Sequence, residues 1–169
     1  MNRDKTKKTT ERGNRRSHLR ALQALAVKLL SAVDPEQLLQ EILLEATHVM
    51  GAEHASIAIL KENDDTTMYV RYGLGIHASQ IRFQIKTYEG AIGEVCRTGE
   101  IYIIDDYRTW KNRIQDSRMD QMTTSASAPL TASGKIVGVL QLSWQNEPIL
   151  FSENSRTILR QYSQLASIA

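Results

Sequence analysis

The sequence predicts an α+β domain, in which a six-stranded antiparallel sheet has helices on one face and a short helix plus loops over a pocket on the other. Two amphipathic helical segments precede about six strand-like segments, and a third follows them. Strands that are grouped between helices favour an antiparallel sheet. Only residues 73–80 and 86–122 remain to cover the second face. Irregular segments over a sheet tend to leave a cavity, so a small-molecule site is expected there.

Two helices are predicted at the beginning of the chain. Ser17 is a suitable N-cap for the first. Its apolar stripe is Leu19, Leu22, Ala26, Leu29 and Val33. Asp34 and Pro35 then end this helix and begin the next. Asp34 is suited to the N-cap of the second helix and Pro35 to its first helical position. Gln37 completes a capping-box pattern. Gly51 is the expected C-cap of the second helix.

Three strands are predicted between residues 55 and 86. Residues 55–60 alternate between a fully buried and a partly buried face. Residues 63–65 have turn chemistry, and residues 68–72 are the return strand of a hairpin. Residues 81–86 alternate apolar and polar side chains, which predicts a third strand.

The middle of the chain combines short elements with a long polar segment. Gly90 and Gly99 bracket a predicted short helix over residues 90–98, and residues 101–104 form a short buried strand. Residues 105–122 are polar and irregular, with one expected helical turn.

A second hairpin and a final helix complete the predicted fold. Residues 125–131 and 135–144 pair across a turn at residues 132–134. Ser152 caps the last helix. One face of that helix carries Ile158, Tyr162, Leu165 and Ala166.

The basic charge of the chain is concentrated at its N-terminus. Residues 1–20 carry eight Lys and Arg against two acidic residues, whereas the remainder holds 13 basic and 17 acidic residues. Residues 1–16 are therefore predicted to be a disordered basic tail, and residues 17–169 the folded domain. The tail has no aromatic residues to stack on bases, so a solvated linker is favoured over a nucleic-acid contact. Without a signal peptide or a long apolar run, the chain is expected to be cytoplasmic.

The chain shows no pattern of an enzyme. It has no nucleophile beside a base, no Walker-type loop and no metal constellation. Asp105 and Asp106 are adjacent carboxylates, which favours a turn over acid–base chemistry. Cys96 is the single cysteine, which excludes an intramolecular disulfide, and a buried inert thiol is expected.

Several motifs in order resemble those of a GAF domain across residues 17–169. They are Asp34-Pro35-Glu36-Gln37-Leu38-Leu39, Ala55-Ser56-Ile57, Gly90-Ala91-Ile92-Gly93, Thr98-Gly99, Asp106-Tyr107-Arg108-Thr109-Trp110, Ala128-Pro129-Leu130 and Gly138-Val139-Leu140. The resemblance implies a small-molecule sensor domain of a histidine kinase, a cyclic-dinucleotide enzyme or a transcription regulator. It also implies a homodimer through the terminal helices. The alternative is a dimerisation and signal-relay module without a ligand.

The resemblance does not identify a cofactor. Residues 105–127 contain neither Cys nor His, which disfavours the covalent bilin attachment found in some members. Methionine-sulfoxide-reducing members need several cysteines, and the Asn-Lys…Phe…Asp-Glu pattern of cyclic-nucleotide binders is absent. Some members bind haem, but His77 is expected to be a solvent-exposed loop residue. No metal site is expected.

Ten residues are candidates for ligand binding. The predicted pocket floor consists of Phe83 or its neighbours, Ser125 and Ser127, and Leu142 or Trp144. The predicted lid consists of Tyr88, Ile92, Tyr107, Trp110 and Arg113. Aromatic walls with a few polar groups suit a small apolar or heterocyclic ligand, and Arg113 suits a carboxylate or phosphate. In the alternative interpretation Tyr107 and Trp110 are core residues, and Arg113 pairs with Asp105 or Asp106.

Overall fold

The computed structural model describes residues 19–27 and 34–169. Residues 19–27 are helical and are named α1. The other helices are α2 (Pro35–Met50), α3 (Gly90–Thr98) and α4 (Glu153–Ile168). The strands are β1 (His54–Lys61), β2 (Asp64–Leu74), β3 (Gln84–Lys86), β4 (Tyr102–Ile104), β5 (Ser125–Ala132) and β6 (Lys135–Ser143). Short 3-10 turns lie at Gly75–Gln80 and Ser117–Met119.

The six strands form one sheet in the order β3-β2-β1-β6-β5-β4. Every neighbouring pair is antiparallel. The predicted α+β class with a six-stranded antiparallel sheet is thus confirmed. The central strands β1 and β6 are covered on both faces, which explains why both are largely buried.

The larger apolar core lies between the sheet and the helices. From α2 it takes Leu38, Ile42, Leu43 and Ala46; from α4, Leu159, Tyr162 and Ala166; and from α1, Leu25. Alternate residues of the strands meet these helices, among them Ile57, Ala126, Leu140 and Leu142. The spacing of the apolar residues along α2 and α4 therefore fixes which side of each helix packs on the sheet.

The opposite face of the sheet is covered by three pieces: the 3-10 turn at Gly75–Gln80, helix α3 and residues 105–122. Together they are called the cover. A smaller apolar cluster under α3 includes Val70, Ile85, Ile92, Val95 and Val139. Another, at Tyr107, Met119 and Met122, holds the irregular segment down. The cover is thus anchored by separate small clusters rather than by one continuous core.

The predicted caps of α2 and α4 are present. The Asp34 carboxylate accepts a hydrogen bond from Glu36 N–H, and Gly51 ends α2 with a φ of 62°. Ser152 Oγ accepts a hydrogen bond from Ser155 N–H at the start of α4. Ser17, Leu29 and Val33 lie outside the described residues.

The third strand is shorter than the sequence predicts. The regular strand begins at Gln84, because Arg82 has a φ of 71° and the chain bends there, although Arg82 and Phe83 still hydrogen-bond to Val70 of β2. The alternation predicted from residue 81 therefore applies only to residues 84–86. In addition, within residues 19–27 and 34–169, no helix is long and apolar enough to cross a bilayer.

Candidate functional site

A polar patch occupies the centre of the sheet face beneath the cover. Ser127, Gln141 and Ser56 lie side by side on β5, β6 and β1, and the next row holds Ser125, Ser143 and His54. All but the half-buried Gln141 are buried. These six residues are called the polar floor. Directly opposed residues in an antiparallel sheet share a face, so the floor is continuous across three strands.

Two further polar residues descend onto the floor from the 3-10 turn at residues 75–80. His77 and Gln80 are each only 2% exposed. His77 Nδ1 lies 2.6 Å from Gln80 Oε1, and His77 Nε2 lies 3.4 Å from Ser143 Oγ. Gly73 allows the turn to come this close, because a Cβ at that position would lie 2.1 Å from the His77 carbonyl oxygen.

A cavity of about 20 Å³ lies between the floor and the cover, which is room for one water molecule. Its polar lining is Ser56, His77, Gln80, Tyr107 and Gln141. Its apolar lining is Val70, Ile85, Ala91, Ile92, Ile114 and Met119. The combination of an apolar wall with a few hydrogen-bonding groups is typical of ligand sites, although the volume is far below the usual range of about 300–1,000 Å³.

Some polar atoms at this face are buried without a partner. Gln80 Nε2 and Ser127 Oγ make no hydrogen bond of acceptable geometry. Their neighbours do: Gln141 Nε2 donates to Ser125 Oγ at 2.9 Å. Burial lowers the pKa of His77, which favours the neutral imidazole. The site therefore offers neutral hydrogen-bonding groups, two of which are left unused.

Four of the predicted residues lie where the sequence places them. Ile92 and Tyr107 line the cavity from the cover. Tyr107 Oη donates to Met119 Sδ at 3.2 Å, which ties two cavity residues together. Ser125 and Ser127 belong to the polar floor, although neither lines the cavity directly.

Trp110 and Arg113 are in the cover but outside the cavity lining. The Trp110 ring packs on Tyr102 and Tyr107, with centroids 5.9 and 6.0 Å apart. Arg113 Nη1 donates to Asp120 Oδ1 at 2.9 Å, so its partner is neither Asp105 nor Asp106. These contacts fit the packing interpretation of both side chains.

Four predicted positions are wrong. Phe83 and Tyr88 are 42% and 73% exposed, because both lie in bends that flank β3. Leu142 and Trp144 face the opposite side of the sheet, in the core under the helices. Their alternation partners are the residues that reach the floor, namely Gln141 and Ser143.

His77 is also not the exposed loop residue that the sequence suggested. The turn after β2 folds back over the sheet and buries its imidazole. Sequence reasoning missed Ser56, Gln80 and Gln141 as well. A signal was present for the turn: Gly73 and Gly75 flank a sharp reversal, and His77 and Gln80 are three residues apart, on one side of a helical turn.

The remaining reactive groups do not form a catalytic or metal centre in the described parts of the chain. Cys96 is half-buried, and burial raises the pKa of its thiol, which disfavours the reactive thiolate. Among residues 19–27 and 34–169, no group of three His, Cys, Asp or Glu side chains could hold a metal ion.

Solved structures share this fold at low sequence identity. One is the GAF domain of a phosphoenolpyruvate-protein phosphotransferase from Acinetobacter, at 19% identity and a TM-score of 0.74, covering 89% of this chain and 90% of that one. Another is the nlh2 GAF domain of A. aeolicus in an inactive state. It has 18% sequence identity and a TM-score of 0.75, and the match covers 92% of this chain and 96% of that one. A third is the free methionine-R-sulfoxide reductase of Neisseria meningitidis in complex with its substrate. It has 15% sequence identity and a TM-score of 0.74, and the match covers 89% of this chain and 86% of that one.

The sequence itself gives the family. No curated protein sequence matches the chain. The family model described as GAF domain matches residues 32–169, which include all six strands, α2, α3 and α4. The chain belongs to the GAF family of regulatory domains.

Proposed function

We propose that this chain is a small-molecule-binding sensor domain of a larger signal-transduction protein. The observation that carries the proposal is the pair of buried, unpartnered polar atoms, Gln80 Nε2 and Ser127 Oγ, beneath the cover. Each such atom costs about 1–3 kcal/mol while it stays unpaired. A ligand that pairs with them recovers this cost. Tyr72 Oη and Trp144 Nε1 are also unpartnered, in the helix-side core, so what distinguishes the cover face is that Gln80 lines a cavity as well.

Binding of anything larger than a water requires the cover to move, since the cavity is only about 20 Å³. The cover suits such a movement. Residues 105–116 have no helix or strand, and the side chains of Ile114 and Met119 close the cavity mainly through apolar contacts, with one hydrogen bond from Tyr107 Oη to Met119 Sδ. Coupling of ligand entry to the position of the cover would convert binding into a conformational signal.

A second candidate is a dimerisation and relay module without a ligand. The small cavity volume favours it. The large apolar side chains that the helices expose to solvent also favour it; these are Leu19, Val27, Leu44 and Ile168.

We propose in either case a homodimer through the terminal helices. Sedimentation should give twice the monomer mass, and Leu44→Lys combined with Ile168→Lys should reduce it to the monomer mass.

A thermal-shift screen of small metabolites separates the two candidates. A sensor should show a Tm that rises with the concentration of at least one compound. The variant Ala91→Val fills the cavity from α3 and should abolish this rise while the fold persists. Ala132→Val, on the exposed hairpin end, is the matched control and should keep the rise. Rises that are equal in both variants would place binding elsewhere, and no rise with any compound would favour the relay candidate.

We further propose that this domain regulates rather than catalyses. Support comes from Cys96, whose thiol pKa is raised by burial, unlike that of a reactive cysteine.

For the parent protein we propose a histidine kinase, a cyclic-dinucleotide enzyme or a transcription regulator. The cytoplasmic location stays a prediction. The complete sequence of the gene tests the parent class, because each of the three would carry its own catalytic or DNA-binding motif.

A further inference from the structure

The polar groups under the cover carry hydrogen-bonding capacity without charge. Within residues 19–27 and 34–169, the buried polar side chains are His, Ser, Thr and Gln, and no Asp, Glu, Lys or Arg is buried. The cavity lining likewise contains no ionised side chain apart from any charge on His77, whose neutral form burial favours. A charged ligand would therefore lose its hydration without gaining a counter-ion, which is strongly unfavourable.

The orientation of Gln80 sets what the ligand must offer. Gln80 Oε1 faces His77 Nδ1 at 2.6 Å, so the amide nitrogen Nε2 is the free end. Asp116 lies on this free side, close enough for hydrogen bonding by the Gln80 side chain to be the smallest of the causes that lower the pKa of the Asp116 carboxyl to about 2. This contact does not satisfy Gln80 Nε2, which still lacks a hydrogen-bond partner. An amide nitrogen is favoured beside a carboxylate, and an amide nitrogen can only donate.

The same neighbourhood disfavours both kinds of ion. The carboxylate of Asp116 is paired with Arg118 at 2.5 Å, so neither member of this ion pair is free to act as a counter-ion for a charged ligand. Arg113, the other arginine of the cover segment, is paired with Asp120. A cation would face the donor Nε2, with no acceptor carboxylate in the lining. Apolar side chains such as Ile85, Ile92 and Met119 complete the wall and suit a hydrocarbon or ring body.

We propose that the site takes an uncharged ligand that presents a carbonyl or ring-nitrogen acceptor to Gln80 Nε2, as a carboxamide or lactam does, and that it rejects carboxylates and amidinium ions of the same shape. This inference rests on the proposed sensor function and specifies the ligand class for the same site. Two residues of the polar floor that line the cavity, Ser56 and Gln141, offer further hydrogen-bonding groups to such a ligand.

Two isosteric series test the proposal on the whole chain. The first is acetamide, acetate and acetamidinium, and the second is benzamide, benzoate and benzamidinium. Each compound is titrated by NMR at neutral pH while the side-chain amide signals of Gln80 are followed. We expect the neutral member of at least one series to shift these signals and to bind about tenfold or more tightly than both ions.

The variant Gln80→Glu should reverse the charge preference. It keeps an oxygen for His77 but replaces the free donor by an acceptor with negative charge, so benzamidinium should now bind more tightly than benzamide. Gln84→Glu, at an exposed position of β3, is the matched control and should retain the wild-type order. The wild-type series alone decides the matter should Gln80→Glu not fold.

The outcomes separate the ligand class from the sensor function. Tighter binding of benzoate or acetate by the wild type would overturn the ligand class and leave a ligand-binding sensor intact. The ligand class would also be overturned if a charged metabolite raised the Tm of the wild type in the thermal-shift screen but not that of Ala91→Val. If none of the six compounds shifts Gln80, the ligand class is also overturned, and the sensor function is then decided by that screen alone.

Discussion

His77 is the residue whose environment departs most from what its sequence neighbours indicate. Its imidazole is buried against Ser143, Gln80 and the ring of His54, whose centroid is 6.5 Å away. Burial is the largest cause that lowers its pKa, and the nearby His54 adds to it. The Gln80 bond and the charge of Asp116 oppose this shift. The balance keeps a neutral ring beside the cavity.

This depressed pKa predicts how stability depends on pH. In the unfolded chain His77 is protonated with its ordinary pKa of 6.5, whereas in the native state its pKa is lower. As pH falls below about 6.5, the free energy of unfolding should therefore decrease, by up to about 1.4 kcal/mol per pH unit until the native pKa is reached. Above that pH, His77 should contribute no slope.

Denaturant unfolding at pH 7.5, 6.5 and 5.5 measures this slope. His77→Gln should flatten it, and His48→Gln, at the exposed end of α2, should leave it unchanged. The carboxyls of Asp64 and Asp116 have a pKa of about 2, so they stay ionised throughout this range. An equal slope in wild type and His77→Gln would contradict the prediction.

Gly73→Ala should displace the turn that carries His77. The new Cβ would lie 2.1 Å from the His77 carbonyl oxygen, which the backbone can relieve only by moving the turn. We expect a loss of about 1–3 kcal/mol in the free energy of unfolding and a His77 ring signal that becomes solvent-sensitive. Gly99→Ala is the comparison: its φ of 71° imposes strain, but nothing lies within 4 Å of the new Cβ, so the His77 signal should not change.

At the scale of elements, a single β-bulge explains why two residues of the predicted pocket floor, Leu142 and Trp144, lie on the opposite face of the sheet. The two-residue turn at Ser133 and Gly134 pairs Ala132 with Lys135 and Thr131 with Ile136. Continued without a bulge, this register would place Ser125 opposite Leu142. The bulge between Leu130 and Thr131 shifts it by one residue, so Ser125 faces Ser143 instead. A one-residue slip exchanges the two faces of a strand.

The predictable parts of the fold are those that local chemistry determines. Asp34, Gly51 and Ser152 cap helices because of their own side chains or backbone freedom, and their roles could be inferred from sequence. The burial of His77 could not, because it depends on which way a turn folds over a sheet assembled from distant strands. The register of β6 against β5 could not be inferred either, because no local sequence pattern indicates the bulge.

The cap of α4 is a direct test of one such element. Ser152→Ala removes the acceptor for Ser155 N–H at the start of the helix and should lower the free energy of unfolding by about 1 kcal/mol. Ser152→Asp supplies another acceptor and should stay within a few tenths of the wild type. Both values come from denaturant unfolding, and an equal loss in the two variants would mean that the hydroxyl acts through packing or its contact with Ser155 Oγ.

At the scale of the whole molecule, the sheet separates a continuously packed face from one that is packed in smaller clusters. The helix face is one continuous core that joins α1, α2 and α4 to the central strands. The cover face is divided into two small clusters with the polar floor and the cavity between them. Regions with fewer continuous apolar contacts open at lower free energy than the global transition. A sensor needs this asymmetry, because its ligand must enter without unfolding the sheet.

Two truncations, one on each face, test the asymmetry. Leu142→Ala removes a fully buried side chain from the helix-side core and should lower the free energy of global unfolding by about 2–5 kcal/mol. Ile114→Ala removes a half-buried contact of the cover and should cost much less globally. Its main effect should be local, because amide hydrogen exchange should accelerate at residues 75–80 and 105–119 while β1 and β6 keep their protection. Equal acceleration in β1 would show that sheet and cover open as one unit, and a cover that cannot open alone could not admit a ligand to its cavity.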